Sequence, residues 1–276
     1  MSRYIVFLLT GVLLFASCAS TDGGKVPSQP DPDNRAADNS PESTFAVSLE
    51  ELYDGGYWVA TQADAGITVM GIAGRQSNRD KAIAEALADA AQRVALYYGV
   101  QGESAAVLNQ GSGNLDYFSD FDYQLNLLNR PENYINDLVF DKDKDVLEKN
   151  GAVVVRVQYP GVSGVPVYKS VMEDGTPDWV RKVVVDIPGF LTSVNNSKNK
   201  GSPQKTYQAS YEKAIAALLP QLSTTSASGV VDVAGRRMTQ NYTTSSGVLD
   251  NVIILETWED KKTGTIWTLL VAKQKS

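Results

Sequence analysis

Residues 67–95 read ITVMGIAGRQSNRDKAIAEALADAAQRVA, and this stretch decides the fold. Residues 67–73 form an apolar run rich in β-branched side chains, which predicts a strand. The spacing of Ser77 and Asp80 is typical of a helix N-cap, and Gly99 is well placed to end the helix. The helix between them carries an apolar stripe made of Ile83, Leu87, Ala90, Ala91 and Val94. Because only one face is apolar, this helix must pack against a sheet.

The same order recurs in the second half of the chain. Residues 189–194 predict a strand, and residues 195–201 predict a polar loop. Ser202 followed by Pro203 predicts a helix start, because proline is favoured at the first helical position. Pro220 is expected to stop or kink this helix, since it removes a hydrogen bond. The apolar stripe is Tyr207, Tyr211, Ile215, Leu218 and Leu222.

Each copy is predicted to close with a β-hairpin. In the first copy, residues 133–141 and 152–159 are the predicted strands, joined by a charged turn. In the second copy, residues 252–259 and 265–272 flank a glycine-containing loop. Alternating and β-branched residues around such a loop are a strong hairpin signal.

Other segments are less regular. Residues 230–241 predict a further strand in the second copy, whereas residues 101–130 of the first copy are rich in Gly, Asn, Asp and aromatic residues and match no single element. We expect Trp179, Trp258 and Trp267 to be core anchors rather than the lining of a ligand pocket, with the last two paired across the second hairpin.

The predicted fold class is therefore α+β. We expect two tandem two-layer modules, residues 45–162 and 163–276, each an antiparallel or mixed sheet packed by one amphipathic helix. Two short motifs fit this architecture without a binding role. Asp141–Asp145 resembles half of a calcium loop but lacks the later ligands, so we interpret it as a turn. Gly71–Gly74 is interpreted as a tight strand-to-helix turn rather than a dinucleotide loop.

These elements carry a resemblance to a known family. A Trp-Val start, the alanine-rich helix Ala82–Ala95 and the closing hairpin with Trp258, Gly264 and Trp267 resemble the LPP20 family of bacterial outer-membrane lipoproteins. The resemblance covers most of residues 57–160 and 178–274. It implies a cell-envelope lipoprotein without known catalytic residues. Related modules occur in proteins of the flagellar outer-membrane rings, so it also implies an assembly or scaffold role.

The N-terminal residues predict lipid attachment. Arg3 and the apolar run 4–15 are typical of a signal peptide, and the small residues Ala16 and Ser17 precede Cys18. This arrangement resembles the lipobox of bacterial lipoproteins, in which the cysteine thiol is diacylated. We therefore expect a signal peptide at 1–17, lipid on Cys18 and a flexible tether at 18–44. Because no aspartate directly follows Cys18, the sequence favours the outer membrane.

Composition excludes several classes of function. The chain has no histidine, so it lacks the commonest general base and zinc ligand, and Cys18 is its single cysteine. We expect no catalytic residues, no cofactor and no metal site. Its net charge of −7 should repel nucleic acid, so the lipid rather than a basic patch is expected to bind the membrane.

The best candidate for a partner surface lies in residues 116–123, where acidic and aromatic side chains alternate. The candidate residues are Tyr117, Phe118, Phe121 and Tyr123, because aromatic side chains are enriched in interface cores. The alternative is an ordinary long loop folded over the core. We expect a structural or interaction protein with envelope protein partners. The main alternative is a small-molecule or glycan binding protein that uses a groove between the modules, and a hydrolase lacking histidine is a more remote one.

Overall fold

The computed structural model describes residues 48–59, 66–74, 76–111, 119–182, 185–198, 200–233 and 236–275, with the main chain alone at 59, 107–111, 119–121, 229–233 and 236–241. The predicted signal peptide, Cys18 and the predicted tether lie outside the described residues.

The described residues form an α+β fold with antiparallel sheets and few helices, as predicted. The α-helices are α1 (Leu49–Gly55), α2 (Arg79–Tyr97) and α3 (Pro203–Ala216), and 3-10 helices cover Pro131–Asp137, Asp178–Arg181 and Leu219–Gln221. The strands are β1 (Tyr57–Val59), β2 (Ile67–Gly74), β3 (Val100–Gly111), β4 (Ser119–Leu127), β5 (Val146–Lys149), β6 (Ala152–Tyr159), β7 (Met172–Glu173), β8 (Thr176–Pro177), β9 (Leu191–Lys198), β10 (Thr224–Val233), β11 (Arg236–Asp260) and β12 (Thr265–Gln274).

Helix α2 packs against a three-stranded sheet of order β2-β6-β5. The helix starts at the cap residue Asn78, whose side chain accepts a hydrogen bond from the amide of Lys81 at 3.2 Å. It ends at Tyr98, directly before Gly99. The predicted apolar stripe is confirmed, with Leu87 half-buried and the others buried: Ile83, Ala90, Ala91 and Val94.

Gly71 and Gly74 have a different role from the predicted turn. Gly71 and Gly74 both lie within β2, and a Cβ at Gly71 would lie 1.9 Å from the carbonyl oxygen of Ala86. Gly71 therefore allows the main chain of α2 to approach the sheet closely. The alanine-rich sequence of α2 fits this short separation, since larger side chains would hold the layers apart.

The first closing hairpin is shifted along the chain from its predicted position. Residues 133–137 lie in the 3-10 helix, and β6 forms its hairpin with β5, while Val139 keeps one isolated antiparallel bridge to Gln158. The charged segment before β5 forms a turn, as predicted, but Asp145 at its end is buried. Its Oδ1 accepts a hydrogen bond from Nη2 of Arg156 on β6 at 2.7 Å. This buried ion pair holds the turn against β6, so strand pairing starts at Val146.

The second helix begins and ends as predicted. The side chain of Ser202 caps α3 by accepting from the amide of Lys205 at 3.3 Å, and Pro203 is its first residue. The helix ends at Ala216, before Pro220, so Leu218 and Leu222 of the predicted stripe lie beyond it. The predicted loop at 195–201 was wrong for its first part, because β9 continues to Lys198 by pairing with β12.

The second closing hairpin is confirmed. Strands β11 and β12 pair antiparallel, and Trp258 lies opposite Trp267 in the register. Trp179 is fully buried in the cluster that covers this hairpin, as expected of a core anchor.

One seven-stranded sheet takes strands from both halves of the chain. Its main order is β4-β3-β11-β12-β9, and β1 and β10 also pair with β11. Separate sheets were predicted for residues 45–162 and 163–276, but β1, β3 and β4 of the first half join β9–β12 of the second. The reason is the length of β11, whose 25 residues offer pairing edges to four other strands. The described residues belong to one compact unit.

Both halves nevertheless repeat one connectivity. In the first, β2 leads to α2, and the chain returns through β6, which pairs with both β2 and β5. In the second, β9 leads to α3, and the chain returns through β12, which pairs with both β9 and β11. In each half a long antiparallel hairpin follows the helix, β3–β4 after α2 and β10–β11 after α3.

Candidate interaction surface

The two long hairpins lie side by side as a four-stranded antiparallel sheet of order β4-β3-β11-β10, which we call the hairpin sheet. Its central joint pairs β3 with the first half of β11, from Val100 opposite Leu249 to Gly111 opposite Met238. Strand β11 changes partners after this joint, near a register shift between Asp250 and Ile253. Asn251 lies there with a φ of 48°, a left-handed conformation that asparagine tolerates.

The base of the hairpin sheet is anchored in the core. Val100 and Leu249 are buried in a cluster with Leu218 and Leu219, which follow α3. Gly102 permits this contact, because a Cβ there would lie 2.8 Å from the nearest methyl carbon of Leu219. The alternation of the two strands leaves the opposite face of the sheet exposed.

The pairing runs on well beyond this anchored base. From buried Ser104 to Gly111, β3 spans about 23 Å at 3.3 Å per residue. Strands β10 and β11 remain paired over the same stretch, as far as Val233 opposite Arg236. The hairpin sheet is thus a long arm rooted in the core at one end.

The exposed face of the hairpin sheet, which we call the outer face, is concave and polar. It borders a depression of about 650 Å³, and both halves of the chain contribute to its wall. Wall residues from the first half include Glu103, Ala105, Asp122 and Gln124, and those from the second half include Thr225, Thr244 and Ser246. Apart from Glu103 and Asp122 the wall residues are uncharged, and one of them, Tyr123, is aromatic.

The predicted partner residues fall partly outside the described residues. Tyr117 and Phe118 lie outside the described residues. Phe121 is described by its main chain alone, which lies opposite Ala106 of β3. The segment from Ser119 onward is strand β4, not a loop. It forms a strand because its alternating residues pair with β3, a partner that the sequence pattern did not identify.

Tyr123 is half-buried and alternates along β4 with the exposed Asp122 and Gln124, and it also borders the depression. Its hydroxyl donates to Oε2 of Glu212 on α3 at 3.4 Å, a weak hydrogen bond. Burial raises the pKa of Tyr123, and the nearby charge of Glu212 raises it further. Tyr123 therefore ties β4 to α3, and the described part of the outer face consists of polar residues together with the exposed Tyr242 of β11.

A buried carboxylate that the sequence analysis did not identify lies within the second closing hairpin. Glu256 of β11 is 2% exposed and accepts hydrogen bonds from Tyr57, Trp179 and Ser170, with the tyrosine hydroxyl at 2.7 Å. Burial raises the pKa of Glu256, and the three donors oppose that shift. Through these hydrogen bonds Glu256 links Tyr57 of β1, Ser170 and the 3-10 helix Asp178–Arg181 to β11. We interpret Glu256 as a structural residue, because its buried carboxylate is surrounded by hydrogen-bond donors from the protein itself.

Two kinds of site are absent from the described part of the chain. It contains no group of three or more acidic, cysteine or histidine side chains placed to hold a metal ion. Within the same residues, no helix combines the length and apolar character needed to cross a membrane.

We compared the chain with protein-family models, curated proteins and solved structures, and none of the three comparisons yielded a match.

Proposed function

We propose that this chain is a lipid-anchored protein of the bacterial cell envelope with a structural or interaction role and without catalysis. Cys18 is the proposed attachment point, and the outer membrane is the proposed location. The support for the anchor is the sequence around Cys18: a basic start, an apolar run of signal-peptide length and two small residues before the cysteine.

The observation that carries the interaction role is the hairpin sheet. A long arm with a polar, concave outer face gives a partner main-chain edges and side chains from both halves of the chain. Long exposed sheets with unpaired edges favour association with other chains. The partners proposed are envelope proteins, and the acidic balance of the chain argues against nucleic acid.

We also propose that the two halves are related modules of the LPP20 type. The supporting observation is the repeated connectivity, in which a strand, a helix and a long hairpin are followed by a return strand that pairs with the first. On this proposal the modules share strands in one sheet rather than standing apart.

Lipid attachment is tested by expressing the chain and Cys18→Ser in a bacterial host and measuring the mass of the N-terminal peptide. In the unaltered chain, the N-terminal peptide should begin with a diacylated cysteine. The Cys18→Ser chain should lack the lipid and should be released from the membrane. An unmodified or uncleaved N-terminus in the unaltered chain would overturn the proposed anchor.

The interaction role is tested by cross-linking in intact cells, followed by mass spectrometry of proteins that co-purify. Ala105→Arg places a bulky charge on the outer face and should remove the specific partners. Ala84→Arg is the matched control, because Ala84 is exposed on α2, away from the hairpin sheet. Equal recovery of partners with both variants would contradict a role for the outer face.

A second candidate function is small-molecule or glycan binding at the depression of about 650 Å³. Its polar wall, drawn from both halves of the chain, is the observation that favours this role. A rise in melting temperature with envelope sugars that Gln124→Ala abolishes would support it, and an unchanged melting temperature across such sugars would exclude it.

A further inference from the structure

The hairpin sheet joins its two hairpins in a head-to-tail order. Each hairpin has a first strand that follows its helix and a second strand that returns: β3 and β4 in one, β10 and β11 in the other. The order β4-β3-β11-β10 therefore places the first strand of one hairpin against the second strand of the other. A symmetric joint would instead have paired two equivalent strands.

This order leaves two complementary edges. In the described strand pairings, β4 pairs with β3 alone and β10 pairs with β11 alone. One free edge is thus a second strand, and the other is a first strand. They are the same two kinds of strand that meet inside the chain at the β3–β11 joint.

These two edges carry aspartates but lack two other common protections against pairing. Neither β4 nor β10 contains lysine or proline, which commonly block edge strands. The edge strand β5 of the three-stranded sheet is only four residues long and ends at Lys149. All described side chains of β10, from Thr224 to Ser228, are exposed.

We propose that β10 of one copy of this chain pairs antiparallel with β4 of the next copy, repeating the internal β3–β11 joint between molecules. Such a heterologous joint leaves the same free edges at the ends of every pair, so copies add in series until a ring closes or a filament continues. The proposal deepens the proposed interaction role, on which it rests, by naming a second copy of the chain as the partner.

The packing of the two hairpins sets the register of this joint. Gly102 lies opposite Leu125 in the first hairpin, and a Cβ on it would lie 2.9 Å from that leucine. In the second hairpin, a Cβ on Gly247 would lie 2.5 Å from Leu222. The two glycine–leucine contacts are at the base of each hairpin, so we align Gly102 with Leu222 and Leu125 with Gly247.

The alignment converts the internal pairs into predicted pairs between copies. Ala105 lies opposite Thr244 in the β3–β11 joint. Counting three residues from the aligned glycine–leucine contacts, Ala105 corresponds to Thr225, and Thr244 corresponds to Asp122. Thr225 of one copy should therefore lie opposite Asp122 of the next, and both side chains are exposed.

Disulfide cross-linking tests this joint. The background is the full chain with Cys18→Ser, which removes its single cysteine and makes the result independent of lipid attachment. Directly opposed residues of antiparallel strands have Cα atoms about 4.5–5.5 Å apart, which suits a disulfide. The double variant Thr225→Cys/Asp122→Cys should give dimers, trimers and larger species on a non-reducing gel after mild oxidation.

Single variants give the direction of the joint. Neither Thr225→Cys nor Asp122→Cys should cross-link alone, whereas an equal mixture of the two should stop at dimers. The register control is Thr225→Cys/Asn126→Cys, because Asn126 is exposed on the same face of β4. It should give several-fold less cross-linked product.

Four results would overturn the proposal. Dimers from one single variant would indicate symmetric pairing, and equal ladders from the Asn126→Cys control would indicate random collision. A disulfide formed within one chain would also exclude the joint. The same conclusion would follow if the double variant gave no cross-link although its circular dichroism spectrum matched that of the unaltered chain. None of these results bears on the mass of the lipidated N-terminus or on other co-purifying proteins, so the anchor and other partners are judged separately.

Discussion

A Cβ placed on Gly71 would lie 1.9 Å from the carbonyl oxygen of Ala86, so β2 and α2 meet main chain to main chain. The same approach brings the carboxylate of Asp89 within 2.8 Å of the amide of Ile72, which donates a hydrogen bond to it. The first half of the protein is therefore held by a contact that tolerates no added atom and by a buried polar bond beside it.

The first prediction concerns Gly71→Ala. The added methyl group meets main-chain atoms that have no rotamer to change, so the helix must move away from the sheet. We expect the free energy of unfolding to fall by about 1–3 kcal/mol, the usual cost of overpacking, or by more. Urea unfolding followed by circular dichroism measures this loss.

Two other glycines serve as controls for that experiment. Gly74→Ala meets no atom within 4 Å and should change stability little. Gly102→Ala meets only the ends of leucine side chains, which can rotate, so its effect should be intermediate. Equal stability of the Gly71 and Gly74 variants would contradict the close contact between α2 and β2.

The second prediction concerns the buried pair of Asp89 and Arg93, whose Oδ2 and Nη2 lie 3.0 Å apart with both side chains almost fully buried. Asp89→Ala leaves the guanidinium buried without its carboxylate and should cost about 3–5 kcal/mol. Combining Arg93→Met with Asp89→Ala removes the unpaired guanidinium charge. The double variant should therefore be more stable than Asp89→Ala alone.

Urea unfolding of both single variants and the double variant completes this cycle. The comparison is Glu148→Ala, which breaks the exposed pair with Arg79 and should cost less than about 1 kcal/mol. A double variant less stable than either single one would show that the pair is not coupled as the geometry indicates.

The third prediction concerns Glu256 and pH. Because burial raises its pKa in the folded state above the unfolded value of about 4.3, the native state binds the proton more tightly. This contribution to stability is full below the unfolded pKa and is lost as pH rises through the folded pKa. The stability of the unaltered chain relative to Glu256→Gln should therefore decrease as pH rises above about 4.3.

Unfolding free energies measured across that pH range test the assignment. Ser170→Ala is the control that keeps the carboxyl group but removes a donor that favours its charged form. Its loss of stability with rising pH should be steeper than that of the unaltered chain. Parallel pH profiles for all three chains would rule out Glu256 as the source.

The fourth prediction concerns the base of the hairpin sheet. Leu219 is fully buried against Gly102, so Leu219→Ala should cost about 2–5 kcal/mol. Hydrogen exchange should speed up most at the amides of β3, β4 and β10, and least in the three-stranded sheet. The control is Leu128→Ala, because Leu128 is exposed. A uniform loss of protection in Leu219→Ala would show that the hairpin sheet is not a separate local unit.

Local signals were enough to predict several elements. The caps Asn78 and Ser202 lie at or next to their predicted positions, because a cap depends on residues within one helical turn. The tight β11–β12 hairpin was predicted for the same reason, since its strands are joined by a short turn. The stripe of α2 and the first three residues of the predicted α3 stripe, Tyr207, Tyr211 and Ile215, also follow from helical spacing, whereas Leu218 and Leu222 lie beyond the helix.

The hairpin at 133–141 and the turn at Gly71 were predicted wrongly because buried contacts override local preference. Asp145 is drawn inward by Arg156, and Gly71 is needed by a helix that passes over it. Charged and glycine residues ordinarily indicate turns, and the sequence gives no sign of such distant partners.

The candidate surface was located only in part. Residues 116–123 do overlap β4, but the polar outer face combines residues from positions 103 to 246, which no sequence window brings together. Neither the aromatic pattern nor the composition indicated that β4 and β10 would be the free edges.

By itself, the sequence determined the α+β class, the two helices with their apolar faces and the closing hairpin of the second half, because each depends on neighbours along the chain. The tertiary structure alone decided that Val100 pairs with Leu249, that Glu256 is buried and that β4 and β10 are left at the edges. The physical reason is that main-chain hydrogen bonds between strands are the same for every sequence, so the choice of partner depends on how the whole core packs.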